Sequence, residues 1–137
     1  MKNMEYKSNF CGPVILDEGN IDGLDYVIVS FGVYPAARVR IPESHKFYGE
    51  TNLKKMDIQC HGGGLRFADD YLSYLDNSDG WWIGWNYDHD GDYGLRYDGR
   101  VRGGIRVIDG KQWTTEEILE EVKNVIKQLN SYRIAKK

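Results

Sequence analysis

Cysteine, long apolar runs and an excess of positive charge are all scarce in this chain. Its only cysteines, Cys11 and Cys60, stand far apart and outside any CxxC spacing. That excludes a zinc finger and argues against a disulfide scaffold, so reduced thiols in a cytoplasmic setting are expected. No stretch approaches the ~18 apolar residues of a membrane span, and the opening MKNMEYKSNF carries no apolar core of a secretion signal. A soluble protein without a membrane partner is expected. Eighteen basic residues against 21 acidic ones leave a formal charge of -3, so there is no broad positive field to hold duplex nucleic acid. There is no GxSxG elbow, so the HGGG at residues 61–64 has no serine nucleophile to serve as an oxyanion loop.

Aromatics and glycine are plentiful. Ten Tyr, four Trp and 16 Gly occur in 137 residues, and Tyr and Trp suit recognition surfaces as well as cores. LDYVIVSFG, residues 24–32, is a β-branched apolar run closed by Gly, and AARVRIP, residues 36–42, alternates before Pro42; together they predict a hairpin. MDIQC, residues 56–60, alternates as a third strand would, and GWWIGWNY, residues 80–87, as a fourth, with Trp82, Gly84 and Asn86 on one side. GIRVI, residues 104–108, reads as one more short strand. Thr114 with Glu117 forms a capping box, with Trp113 and Ile118 at the staple positions. Ile118, Leu119, Val122, Val125, Ile126 and Leu129 then mark one apolar stripe of a helix. No repeat or linker interrupts residues 1–137. The expected fold is a single α+β domain, a small and mainly antiparallel sheet covered by a C-terminal amphipathic helix. Short strands broken by glycine leave edges that a homodimer could pair.

Several clusters could carry chemistry. Asn86, Asp88 and Asp90 with Gly91 in sixth place match the start of a calcium loop, but Tyr97 stands where a bidentate Glu is needed and Asp98 comes one residue late. His45, His61 and His89 with Asp92 could hold a transition metal, yet none of the three has HxH or HxxxH spacing, so no metal or other cofactor is assigned from sequence. His61 followed by Gly62, Gly63 and Gly64 could let backbone N–H groups approach an anion. Trp82, Tyr48, Phe67 and Tyr87 could stack on a base, while Arg66, Arg96, Arg100 and Arg102 could hold phosphate. Each of these residues has an ordinary structural alternative, whether a core aromatic, a hydrogen-bonded histidine or a solvated turn.

The segments IPESHKFYGE, MDIQCHGGGL and GWWIGWNYDHDGDY, followed by the helix that begins near TTEEILEEV, resemble a group of small phage and prophage proteins. Those proteins carry a GHPxYG-like segment, an HGGL segment and a WWxGFDxxHxGD segment in the same order. The likeness spans about residues 25 to 130 and marks His45, Tyr48, Gly49, His61, Gly62, Gly63, Trp82, Gly84, His89, Gly91 and Asp92. This chain departs from the pattern in its third glycine after His61, in Lys46 where Pro is usual, and in Asn86 where Asp is frequent. The last departure weakens a metal role at that position, since an amide is a poorer ligand for a hard dication than a carboxylate.

The resemblance implies a counter-defence role directed at nucleotide immune signals. The leading expectation is a protein that binds and sequesters a cyclic nucleotide or a cyclic ADP-ribose type signal. Its pocket would be formed by His45, Tyr48, His61, Gly62, Gly63, Arg66, Trp82, Asn86, His89 and Asp92. One alternative is a phosphodiesterase that cleaves the signal, with His61 and His89 as general base and acid, or as metal ligands with Asp92. Another is direct protein–protein inhibition of a host defence protein through exposed aromatics.

Overall fold

A computed structural model describes residues 13–97 and 99–135. Cys11 and Asp98 lie outside the described residues. A five-stranded, wholly antiparallel sheet runs in the order β1-β2-β3-β5-β4, from β1 (Val14–Ile21), β2 (Leu24–Ser30), β3 (Pro35–Ile41), β4 (Phe67–Asp69) and β5 (Trp81–Asn86). A separate ribbon pairs β6 (Gly94–Tyr97) with β7 (Ile105–Ile108), and the chain ends in α1 (Thr115–Ala135). The fold is α+β, as expected.

Strand β1 was not legible as a strand because its apolar residues, Val14, Ile15 and Leu16, are consecutive and do not alternate with the polar stretch 17–20 that follows. What forms it is the turn Asp22-Gly23, where φ of 49° and 91° sets both central residues left-handed and turns the chain tightly back onto β2. Its one buried carboxylate, Asp17, accepts a hydrogen bond of 2.9 Å from the Tyr26 hydroxyl.

The sheet is covered on both faces. Ile28, Val39, Ile83 and Trp85 face α1 and meet Ile118, Val122, Val125, Ile126 and Leu129, all fully buried. Thr114 and Glu117 cap the helix reciprocally, with backbone-to-side-chain bonds of 3.0 and 3.1 Å. On the opposite face the connection between β4 and β5 folds back so that Leu72 and Leu75 close over Val27 and Trp82. The register also places Arg38 opposite Gly84 and Phe67 opposite the same glycine. A Cβ on Gly84 would run into the Ala37 carbonyl and the Arg38 side chain. Its absence lets the Arg38 guanidinium cross the strand to lie 4.3 Å over the Phe67 ring.

The expected third strand, residues 56–60, is not one. Met56 closes a short 3-10 turn, Asp57 is left-handed, and the segment makes no sheet pairing among the described residues. The Gln128 side chain of α1 instead bonds both the N–H and the carbonyl of Gln59, at 2.8 and 2.7 Å. Met56 and Ile58 are buried as the alternation required. The pattern reported which side chains go inward and not what the backbone pairs with. Among the described residues no helix is long and apolar enough to cross a membrane.

Candidate functional site

The end of β5, the turn after it, the HGG turn and Trp113, two residues ahead of α1, meet at one carboxylate. Asp92 closes the turn His89-Asp90-Gly91-Asp92 with its own N–H on the His89 carbonyl at 2.8 Å, while its Oδ2 accepts the His89 N–H at 2.9 Å. The same Oδ2 accepts a hydrogen bond from His61 Nε2 at 2.8 Å, and Oδ1 accepts one from the Trp113 indole at 2.8 Å. Tyr93 N–H and Lys111 N–H bond across to Lys111 and Gly91 carbonyls, which lashes this turn to the approach of the helix. Asp92 is almost completely buried. Burial raises its carboxyl, but the hydrogen bonds from His61, the His89 backbone and Trp113 outweigh it and hold the group below the usual carboxylate range.

His61 enters from a 3-10 turn, residues 61–63. Its ring stacks on Tyr87 with centroids 4.5 Å apart and meets Trp113 edge-on at 4.8 Å. With Nε2 donating to Asp92, its Nδ1 is the nitrogen left with a lone pair in the neutral ring. His89 stands edge-on to His61 at 5.5 Å, its Nδ1 3.5 Å from Asp92 Oδ2. Both ring nitrogens of His89 are buried and neither makes a hydrogen bond among the described residues. Gly62 is the wall behind that ring. It is left-handed at φ 81°, and a Cβ there would land inside the His89 imidazole.

Beside His61 opens a shallow depression of about 510 Å³ lined by Gln59, Cys60, Glu117, Glu120, Glu121 and Asn124. It is acidic. Burial pushes the Glu121 carboxyl up, against the pull of His61, and burial pushes the Cys60 thiol up to about 12, so Cys60 is no nucleophile. Lys111 spans the rim, paired with Glu117 at 2.7 Å and lying 4.1 Å over the Trp113 ring. A second depression, about 350 Å³ on the other face of the sheet, is lined by Glu18, Asp25, Arg40, Asp76 and an edge of Trp82 and contains no imidazole.

Of the ten expected ligand-binding residues, His61, Gly62, His89 and Asp92 come together, with Gly63 adjoining. His45 does not join them. It is buried, its Nδ1 accepts the Phe47 N–H at 3.0 Å, and its Nε2 donates to the Leu129 carbonyl at 2.8 Å. Leu129 lies eight positions beyond Glu121, about 12 Å further along α1 at 1.5 Å per residue. The convergence of three imidazoles is therefore corrected to two. Trp82 is sealed under Leu72 and donates its indole N–H to the Ser78 carbonyl at 2.7 Å, so it offers no face to a base. Asn86 points to the far side of the sheet, where its Oδ1 accepts from Arg38 at 3.2 Å, which also removes it from the calcium-loop pattern. Tyr48 and Arg66 are exposed, and Tyr87 stacks on His61 from within the core.

The sequence reading missed Trp113 as a site residue. Its place before the capping box marked it only as a staple, and nothing local shows that its N–H faces residue 92.

Comparison of the chain with family models, curated proteins and solved structures gives no match.

Proposed function

We propose that the protein is a hydrolase of small nucleotide-type signals, with the phosphodiester cleaved at the His61–Asp92–His89 centre. The phage-like motif order supplies the substrate class and the counter-defence setting. The carrying observation is the single buried carboxylate that holds one imidazole by a 2.8 Å hydrogen bond and a second within 3.5 Å. Such a centre can take the proton of an attacking water on an imidazole or hold that water on a metal, and the charge that develops faces a fixed carboxylate. Plain sequestration receives less support, because the stacking residue and third histidine expected to grip a ligand are committed to the core.

The test is product analysis. Cyclic dinucleotides and cyclic ADP-ribose isomers are incubated with the chain, the protein is heat-denatured, and the supernatant is resolved. Linear or opened product from the native chain, and none from His61→Ala or His89→Ala, supports the reading. Intact ligand recovered in stoichiometric amount would instead establish sequestration. No retained and no altered ligand across the set would leave direct protein–protein inhibition as the reading to pursue.

A further inference from the structure

We infer that His61, His89 and Asp92 form a binding site for one divalent transition-metal ion of the zinc class. The inference deepens the hydrolytic reading and rests on it only for what the bound water would do; the site itself stands on geometry. One nitrogen from each imidazole and one Asp92 oxygen lie within 4.8 Å of one another. Of those separations, the 3.5 Å from His89 Nδ1 to Asp92 Oδ2 is already that of two ligands on one ion, while the 2.8 Å from His61 Nε2 is a hydrogen bond whose proton the ion would replace as the two atoms part by roughly half an ångström. Donors about 2.0–2.2 Å from a tetrahedral ion stand roughly 3.3–3.6 Å apart.

His89 supplies the second argument. A neutral imidazole carries one donor and one acceptor, and burying both without a hydrogen bond is costly. Both nitrogens of His89 are in that state, and the ring cannot retreat because the Gly62 backbone is packed against it. An ion bound by the lone pair of Nδ1 would give that nitrogen its partner and leave only the Nε2 N–H without one among the described residues. Asp92, third, is already oriented as ligating carboxylates are, fixed by outer hydrogen bonds from the Trp113 indole and the His89 N–H.

The donor set decides the class of ion. Two imidazoles and one carboxylate suit zinc and its first-row neighbours, whereas calcium and magnesium prefer all-oxygen shells. Three protein ligands leave at least one coordination position, and side chains 20% and 17% exposed at His61 and His89 give solvent a way to it. The surroundings fit as well. Glu117, Glu120 and Glu121 beside His61 draw cations and repel a phosphodiester, so an anionic substrate approaching this rim needs a cation at the centre.

The test uses the full chain stripped with chelator, titrated with Zn²⁺ by calorimetry and with Co²⁺ followed by visible absorption and proton NMR. One ion per chain is expected. His89→Ala and Asp92→Asn should each weaken binding about 100-fold or more, and Trp113→Phe, which removes only the outer N–H, by about 10-fold. Glu120→Gln should leave it within a few fold. In the native chain Co²⁺ should shift the ring protons of His61 and His89 and spare those of His45, a readout that survives if a variant fails to fold. Absence of a stoichiometric ion, equal binding by the His89 and Asp92 variants, or loss of binding in Glu120→Gln overturns the site. Ion binding without signal hydrolysis would sink the hydrolytic reading and keep the metal site; hydrolysis with no stoichiometric ion bound in the titrations would sink the site and keep the hydrolytic reading.

Discussion

Gly62 and Gly63 are neighbours with the same backbone demand and different surroundings. Both are left-handed, at φ 81° and 86°, but only at Gly62 would a Cβ meet anything, namely the His89 ring. Gly63→Ala is expected to cost about 1–2 kcal/mol in backbone strain and leave activity largely intact. Gly62→Ala carries the same strain and also displaces His89, so hydrolysis should fall at least as far as in His89→Ala. Urea titration and turnover on the same two variants separate the terms. The histidines divide in a similar way. His45→Ala leaves the Phe47 N–H and the Leu129 carbonyl each short of a side-chain partner in the core, and is expected to lose about 1–3 kcal/mol of stability with little change in turnover. His61→Ala and His89→Ala should abolish activity while the melting temperature stays within a few degrees. If instead either fails to fold, its functional assignment falls.

At the scale of elements, α1 does more than cover the sheet. Its first turn is joined to Trp113, which holds Asp92, and its fourth carries Gln128, which holds the segment leading into His61. Removing the cap with Thr114→Ala is expected to cost about 1 kcal/mol in a urea titration. Fraying there should also loosen Trp113 and reduce turnover more than the stability loss alone explains. The five-stranded sheet reaches the site through Tyr87, the residue just past β5, which is the platform under His61. The β6–β7 ribbon is tied to the rest of the chain through the Leu95 N–H on the Val33 carbonyl but leaves Val107 59% and Ile105 39% exposed, so polar substitution at either should leave the fold unchanged.

For the whole molecule, stability depends on two apolar layers and on the charge state of one buried carboxylate. Trp82→Ala empties the smaller layer and is expected to cost about 3–5 kcal/mol, read as a lower denaturation midpoint, without a direct effect on the chemistry across the sheet. Because Asp92 is held below the ordinary carboxyl value of 3.8, its contribution is complete above that pH. The contribution is lost as pH falls through the lower folded value. The native chain and Asp92→Asn should therefore differ most near neutrality and differ progressively less as pH is taken below 3.8, which denaturation midpoints measured over a descending pH series would show.

How much of this was legible from residues alone varied with how local each cause is. The capping box, the stripe of α1, the alternation of β5 and the hairpin of β2 with β3 follow from propensity and periodicity over a few neighbouring positions, and the structure has them all. Strand β1 was missed because its apolar residues run together at 14–16 without alternating, although Asp22-Gly23 marked its turn. Residues 56–60 were assigned to the sheet because inward alternation looks the same whether the backbone bonds to a strand or to Gln128. The three histidines looked equivalent in sequence, and only distances across the fold assign two of them to Asp92 and the third to the core. Sequence by itself determined the elements and the residue types available for chemistry, since those depend on local geometry and burial. Tertiary structure decided which side chains share a carboxylate, since His61, Asp92 and Trp113 come from three turns whose approach is fixed by packing between them.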